Sequence, residues 1–208
     1  MTISGVTALD GIALIWFFAC WLGYGLLATW LAKTRPSLVS VVRIYRQRWT
    51  ERMCGRENNQ SDATILGNLL RGALFFASTT MFILGGLVAL LGTTPKIIEV
   101  VAQLPFTGPF EVWFWELKAL ILIGIYVYAF FKFTWSAWQY NVLSIVLGAS
   151  PPAGADQSER THYIETATKI AAMAGESYNN GIRAYYFSIA PMAWCIHPLL
   201  LILSLIHI

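Results

Sequence analysis

The sequence predicts an all-α integral membrane protein, with four transmembrane helices, a cytoplasmic helical hairpin and a basic amphipathic helix. Three observations lead there. Hydrophobic residues make up 57% of the 208-residue chain and charged residues only 12%, against roughly a quarter charged in soluble domains. So short a chain cannot hide that much apolar surface in a water-soluble core. The excess comes in runs long enough to cross about 30 Å of hydrocarbon, or about 20 helical residues. Finally, lysine and arginine concentrate in two of the three connections between those runs, which is the signature of cytoplasmic loops.

The whole chain, 1–208, reads as a single membrane domain. The first span covers about 11–31, "GIALIWFFACWLGYGLLATWL", and carries no charge. The second covers about 65–91 with Arg71 near its beginning, and the third about 113–131 with Glu116 and Lys118 early in it. The fourth covers about 184–208 and contains His197 followed by Pro198, a place for a kink. Lys33, Arg35, Arg43, Arg46, Arg48, Arg52 and Arg56 lie between the first two spans; only Lys96 lies between the second and third. Lys132, Arg160, Lys169 and Arg183 follow the third. Segments 32–64 and 132–183 are therefore expected in the cytoplasm, with both termini outside, as in a bacterial inner (plasma) membrane protein. No basic n-region precedes the first apolar run, so a removable signal peptide is not expected. Cys20, Cys54 and Cys195 are isolated and suggest neither a disulfide framework nor a zinc site.

The first cytoplasmic segment is expected to be helical from about Pro36. Leu38, Val42, Tyr45, Trp49 and Met53 repeat at three- or four-residue steps, while Arg43, Arg46 and Thr50 fall on another face. Such a helix lies on the anionic inner leaflet or packs on the protein's own bundle. "GRENNQSD" then reads as a polar turn. The outer connection, with three prolines, has room for a short helix through Ile97 to Ala102. After Lys132 the helical pattern does not stop: no Gly or Pro occurs before Gly148. A helix from Trp113 to Leu147 would be about 52 Å long, well beyond the membrane. "SPPAGADQSER" is a loop, and a return helix follows from Thr161. In that helix Glu165 and Lys169 form an i,i+4 pair, and "AAMAG" offers a small-residue face for close packing. A break or kink is expected at Asn179-Asn180-Gly181.

"FFKFTWSAWQYNVLSIVLGASP" and "NNGIRAYYFSIAPMAWCIHP" resemble the multi-pass membrane proteins of domain-of-unknown-function family 599, found mainly in bacteria. The resemblance covers most of the chain. Its matching positions are Lys132 to Ser136, Gln139 to Asn141, then Asn180, Gly181 and Arg183 to Phe187. It implies a multi-pass membrane fold and assigns no catalytic role to any of them.

The residues that carry chemistry are few. Lys132, Gln139, Asn141, Asn180, Arg183, Tyr185 and Tyr186 form a candidate polar cluster at the cytoplasmic edge, read either as an interhelical network closing the hairpin or as a ligand site. Arg71, Glu116, Lys118 and His197 are the intramembrane charges, which tend to be paired or to mark a pathway. Arg71, like Lys132 and Arg183 at the cytoplasmic edge, reads either as snorkelling or as part of a cationic ring in an oligomer, lining an anion pathway or holding lipid phosphate. Glu116 and Lys118 point to different faces and need separate partners, either in a polar vestibule or by reaching outward. His197 reads as a hydrogen-bonded core histidine, with no second group for a haem. His162 with Glu159 and Glu165 could hold a metal only weakly and is not assigned as a metal site. Catalytic, cofactor and metal sites are expected to be none, and the absence of nucleophile-elbow, phosphate-loop or zinc motifs weighs against an enzyme. The expected partners are membrane lipid of the anionic inner leaflet and further copies of the chain, with no nucleic acid. An oligomeric channel or transport-type protein is one expectation, since Gly85, Gly86 and Ala89 permit close helix contact. A non-catalytic scaffold or accessory subunit of a larger membrane complex is the alternative.

Overall fold

The computed structural model describes residues 8–34, 38–54, 56, 59–94, 112–152, 154–195 and 197–206, with side chains except at 22, 25–34, 38, 39, 43 and 206. Helices account for almost all of it, and no strand occurs among the described residues. They are α1 (Ala8–Thr34), α2 (Leu38–Met53), α3 (Gln60–Leu91), α4 (Val112–Gly148), α5 (Gln157–Trp194) and α6 (Pro198–Ile206). The short helix expected in the outer connection lies outside the described residues.

Helix limits follow local chemistry. At the start of α3 the Asn59 carbonyl accepts the Ala63 N–H at 2.9 Å, and Asp62 places an acid in the first turn, where the helix dipole favours it. Gln60 to Asp62 therefore belong to this helix and not to a preceding turn. α4 runs unbroken to Gly148, three residues before Pro151-Pro152. α5 opens with the Asp156 carbonyl accepting Arg160 N–H at 3.1 Å. It then passes straight through Asn179-Asn180-Gly181, where the sequence predicts a break. Tertiary packing overrides weak local propensity there.

The fourth apolar stretch, 184–208, is not one helix. α5 ends at Trp194 and α6 begins at Pro198, because proline removes a donor and disfavours helix in the residue before it. α3 and α4 are long and apolar enough to cross a membrane; in α1 the described apolar run is Ala8–Trp21. Only 11% of the most apolar stretch of α3 and 28% of that of α4 is buried.

The chain divides into two compact units, one of Met1–Ala28, Thr79–Ala129 and Ile182–Ile208, the other of Thr29–Ser78 and Phe130–Gly181. In the first, Phe187 is surrounded by Phe17, Trp21 and Tyr24 at ring separations of 6.3, 5.5 and 5.8 Å. Ala13, Ala129, Ala184 and Ala190 let the helices approach. Thr80 and Tyr185 hydroxyls pair at 2.8 Å, and Tyr126 and Ser188 at 2.9 Å, so α3, α4 and α5 are joined through their interiors.

The second unit has its core on Met53, Cys54, Leu66, Tyr140, Leu143, Leu147 and Tyr163, packed on Ala167, Ala171 and Ala174 of α5. The alanine and glycine face expected of "AAMAG" is thus buried. α2 packs on this bundle: Trp49 borders the core, Met53 is inside it, and the Thr50 and Thr168 hydroxyls pair. Its inward face differs from the apolar repeat, because Tyr45 is 62% exposed while Thr50 is fully buried. Asp62 joins α2 to α3. It accepts from the Trp49 indole at 2.7 Å and from Arg56 through both carboxylate oxygens at 2.9 Å. Glu165 and Lys169 are exposed and form no ion pair.

Two substitutions test these contacts. Asp62→Ala leaves a buried indole N–H unsatisfied and an arginine without its acid; it is expected to cost about 2–3 kcal/mol. Gly181→Ala would place a Cβ 2.7 Å from the fully buried Phe133 ring, an overpacking cost of about 1–3 kcal/mol. Thermal melting in detergent, followed by circular dichroism, reads both.

Candidate functional site: an uncompensated arginine pocket and a buried lysine

Lys118 is a buried charge of the first unit, and the local backbone explains its position. In a continuous helix the Trp194 carbonyl would accept the N–H of residue 198, but residue 198 is proline and has none. Lys118 fills that gap, donating from Nζ to the Trp194 oxygen at 3.1 Å. The end of a helix carries partial negative charge, which favours a cation there. The ammonium also lies 4.6 Å from the Phe114 ring centroid and 4.8 Å from that of Trp194. Trp194 in turn donates its indole N–H to buried Asp10 at 2.8 Å. Asp10 and Cys195 are near enough to act on the lysine electrostatically. A lysine so enclosed does not reach outward, and its partners come from α1 and α5.

The other charges that the sequence places inside apolar spans are positioned differently. Arg71 is exposed and donates to Asn68 Oδ1 at 2.7 Å and to the Gly67 carbonyl at 3.3 Å. Glu116 is half-buried. His197 is exposed, which corrects the expectation of a core histidine. It sits in the break before α6, where its Nδ1 accepts the Leu199 N–H at 3.2 Å and caps the helix.

The seven residues of the expected polar cluster divide between the units, four (Lys132, Gln139, Asn141, Asn180) in one and three (Arg183, Tyr185, Tyr186) in the other. In the first unit the Arg183 guanidinium lies 5.5 Å from the Tyr24 ring centroid. Tyr185 is engaged with Thr80, while Tyr186 is exposed. In the second, buried Gln139 accepts from Ser177 at 3.0 Å, and Ser136 donates to the Ala174 carbonyl at 2.8 Å. These bonds fasten α4 to α5. Lys132 and Asn180 are half-buried, each with further contacts, and Asn141 is exposed. Gln139 therefore has a structural role.

The pocket that composition missed lies in the second unit. Arg46 of α2 turns inward, and its guanidinium rests on Gly175 of α5, where any Cβ would overlap it. A cavity of about 330 Å³ opens beside it, lined by Arg46, Val42, Asn68, Leu69, Gly72, Tyr140, Tyr178 and Asn179. Among the described residues no acidic side chain lines it. Arg46 makes no ion pair among the described residues. Burial pushes the Tyr178 phenol above its ordinary value, so it stays a protonated donor. A legible signal for this site was the glycine ending "AAMAG", one residue type able to admit a guanidinium against a helix backbone.

A second, more open cleft of about 500 Å³ has Arg56, Asn59, Ser144 and Ser150 among its lining residues. Tyr163, on the neighbouring helix, has its phenol pushed up by burial, against a smaller opposing effect of the Ser150 hydroxyl. Among the described residues no group of three His, Cys, Asp or Glu side chains could hold a metal ion. Asp10→Ala is expected to lower stability by about 1–3 kcal/mol by stranding the Trp194 N–H. Asp10→Asn, which keeps an acceptor oxygen, should recover most of the loss in the same detergent melting measurement.

No curated protein and no solved structure matches this chain. A family model does match, over residues 12–208, nearly the whole chain. The motifs around Lys132 to Asn141 and Asn180 to Phe187 fall inside that match, and the chain belongs to the family described as "Protein of unknown function, DUF599".

Proposed function

We propose that this chain is an integral protein of the bacterial inner membrane that assembles with copies of itself into a transport-type oligomer. The observation that carries the reading is the bare apolar surface of the two long helices. Phe75 and Phe82 of α3 are 65% and 82% exposed, and Phe131 of α4 is 65% exposed. Water is a poor solvent for such faces, and lipid or further copies of the chain would cover them. Gly85, Gly86 and Ala89 are exposed on α3, with open space beyond both glycines, which suits the approach of a second helix. Four spans with both termini outside, as the basic connections imply, would complete this arrangement. The enclosed Lys118 then lies on a helix within the membrane, where ionisable groups are commonly functional.

A scaffold or accessory subunit is the second reading. Exposed Arg48 and Arg52 on α2 favour it, since basic surface attracts anionic lipid headgroups and acidic partners. Mass and symmetry after purification in a mild detergent separate the two. A closed ring of identical chains is the expected result. A monomer, or a stoichiometric complex with a different protein, would remove the transport reading. Protease added outside intact cells should leave the segment from Lys33 to Arg56 uncut; cleavage there would reverse the orientation.

A further inference from the structure

We propose that the Arg46 pocket binds a phosphate group, either as a free phosphate or phosphomonoester or as the headgroup of an anionic lipid. The lining is one-sided in its chemistry. Arg46 is cationic, with no carboxylate beside it among the described residues. Tyr140 is only 3% exposed and lines the cavity, yet its hydroxyl makes no hydrogen bond. The charge of Arg46 is near enough to act on it electrostatically. Tyr178 has ring contacts with Phe76 and Phe133 but no hydrogen bond at its hydroxyl, and the Asn179 amide has no partner. A half-buried cation and several donors without protein partners thus face one cavity, and an anion would satisfy them together.

The number and type of donors favour phosphate. A guanidinium presents several N–H groups that match oxyanion geometry, and two phenols and an amide add donors from α4 and α5. A tetrahedral oxyanion has enough acceptor oxygens for this set, more than a planar carboxylate offers. Val42, Leu69 and Gly72 supply an apolar wall against which the substituent of a phosphate ester can lie. The volume, about 330 Å³, falls in the range of small-ligand pockets. Gly175 is the positioning residue: it holds the guanidinium at the cavity by offering no side chain. The site is complete within one chain and does not depend on the oligomer proposed above.

The test uses the full chain in a nonionic detergent. Inorganic phosphate is titrated and binding is followed by calorimetry and by the rise in melting temperature, with chloride at matched ionic strength as the control. In parallel, nanodiscs of phosphatidylcholine with or without phosphatidic acid are compared for lipid retained on extraction. Saturable phosphate binding points to a soluble ligand, and selective retention of phosphatidic acid alone points to the lipid; either supports the site. Arg46→Gln is expected to weaken binding by about tenfold or more. Gly175→Ala should do the same with an unchanged melting temperature in chloride, because only the flexible end of Arg46 has to move. Should Arg46→Gln fail to fold, Gly175→Ala and Asn179→Ala carry the test. Wild-type protein that takes up neither probe, or variants that bind as tightly as it does, would overturn the proposal.

Discussion

The second unit depends on one constraint: α5 must present almost no side-chain volume to its neighbours. Ala167, Ala171, Ala174 and Gly181 are spaced by four, three and seven residues, which keeps them on one face of a helix. Three separate contacts use the room this leaves. Phe133 lies against Gly181, the Ser136 hydroxyl reaches the Ala174 carbonyl, and the Arg46 guanidinium rests on Gly175. Close backbones of this kind gain dispersion contacts and let side chains bond directly to a neighbouring helix backbone. The cost is low tolerance, because a methyl group at Gly181 or Gly175 displaces a partner.

The first unit uses a different device, an interrupted helix. Proline at 198 ends a ladder of backbone hydrogen bonds and leaves the Trp194 carbonyl without its usual donor. Lysine from one helix and aspartate from another then converge on that tryptophan, one at its backbone and one at its indole. The result is a charged group held in an apolar setting without a direct acid–base contact being needed to explain it. Aromatic rings around the ammonium supply part of what water would otherwise provide.

Much of this was legible beforehand, and the failures have physical causes. The continuous helix from 113 to 147 was readable because nothing in that stretch breaks a helix, and α4 covers Val112–Gly148. The stretch Asn179-Asn180-Gly181 misled, since those residues usually end helices; here Gly181 is needed for packing and not for a turn. Lys118 was legible as a charge that required a partner, but Asp10 was not legible as one, because the two lie more than a hundred residues apart in the chain. Arg46 shared a polar face with Arg43 and Thr50 in the periodic reading. Hydrophobic patterning assigns such a face to solvent or headgroups, whereas Thr50 is fully buried and Arg46 lies against another helix. Patterning records polarity, and cannot tell a polar side chain satisfied inside from one satisfied outside.

Cys54 directly follows α2, buried in the same core cluster as Leu66 and Leu143. A thiol so placed is shielded from alkylating reagents while α2 stays docked, and becomes reactive when that helix lifts away. The chain thus carries its own chemical reporter for opening of the helix that bears Arg46, at a position where no label has to be introduced.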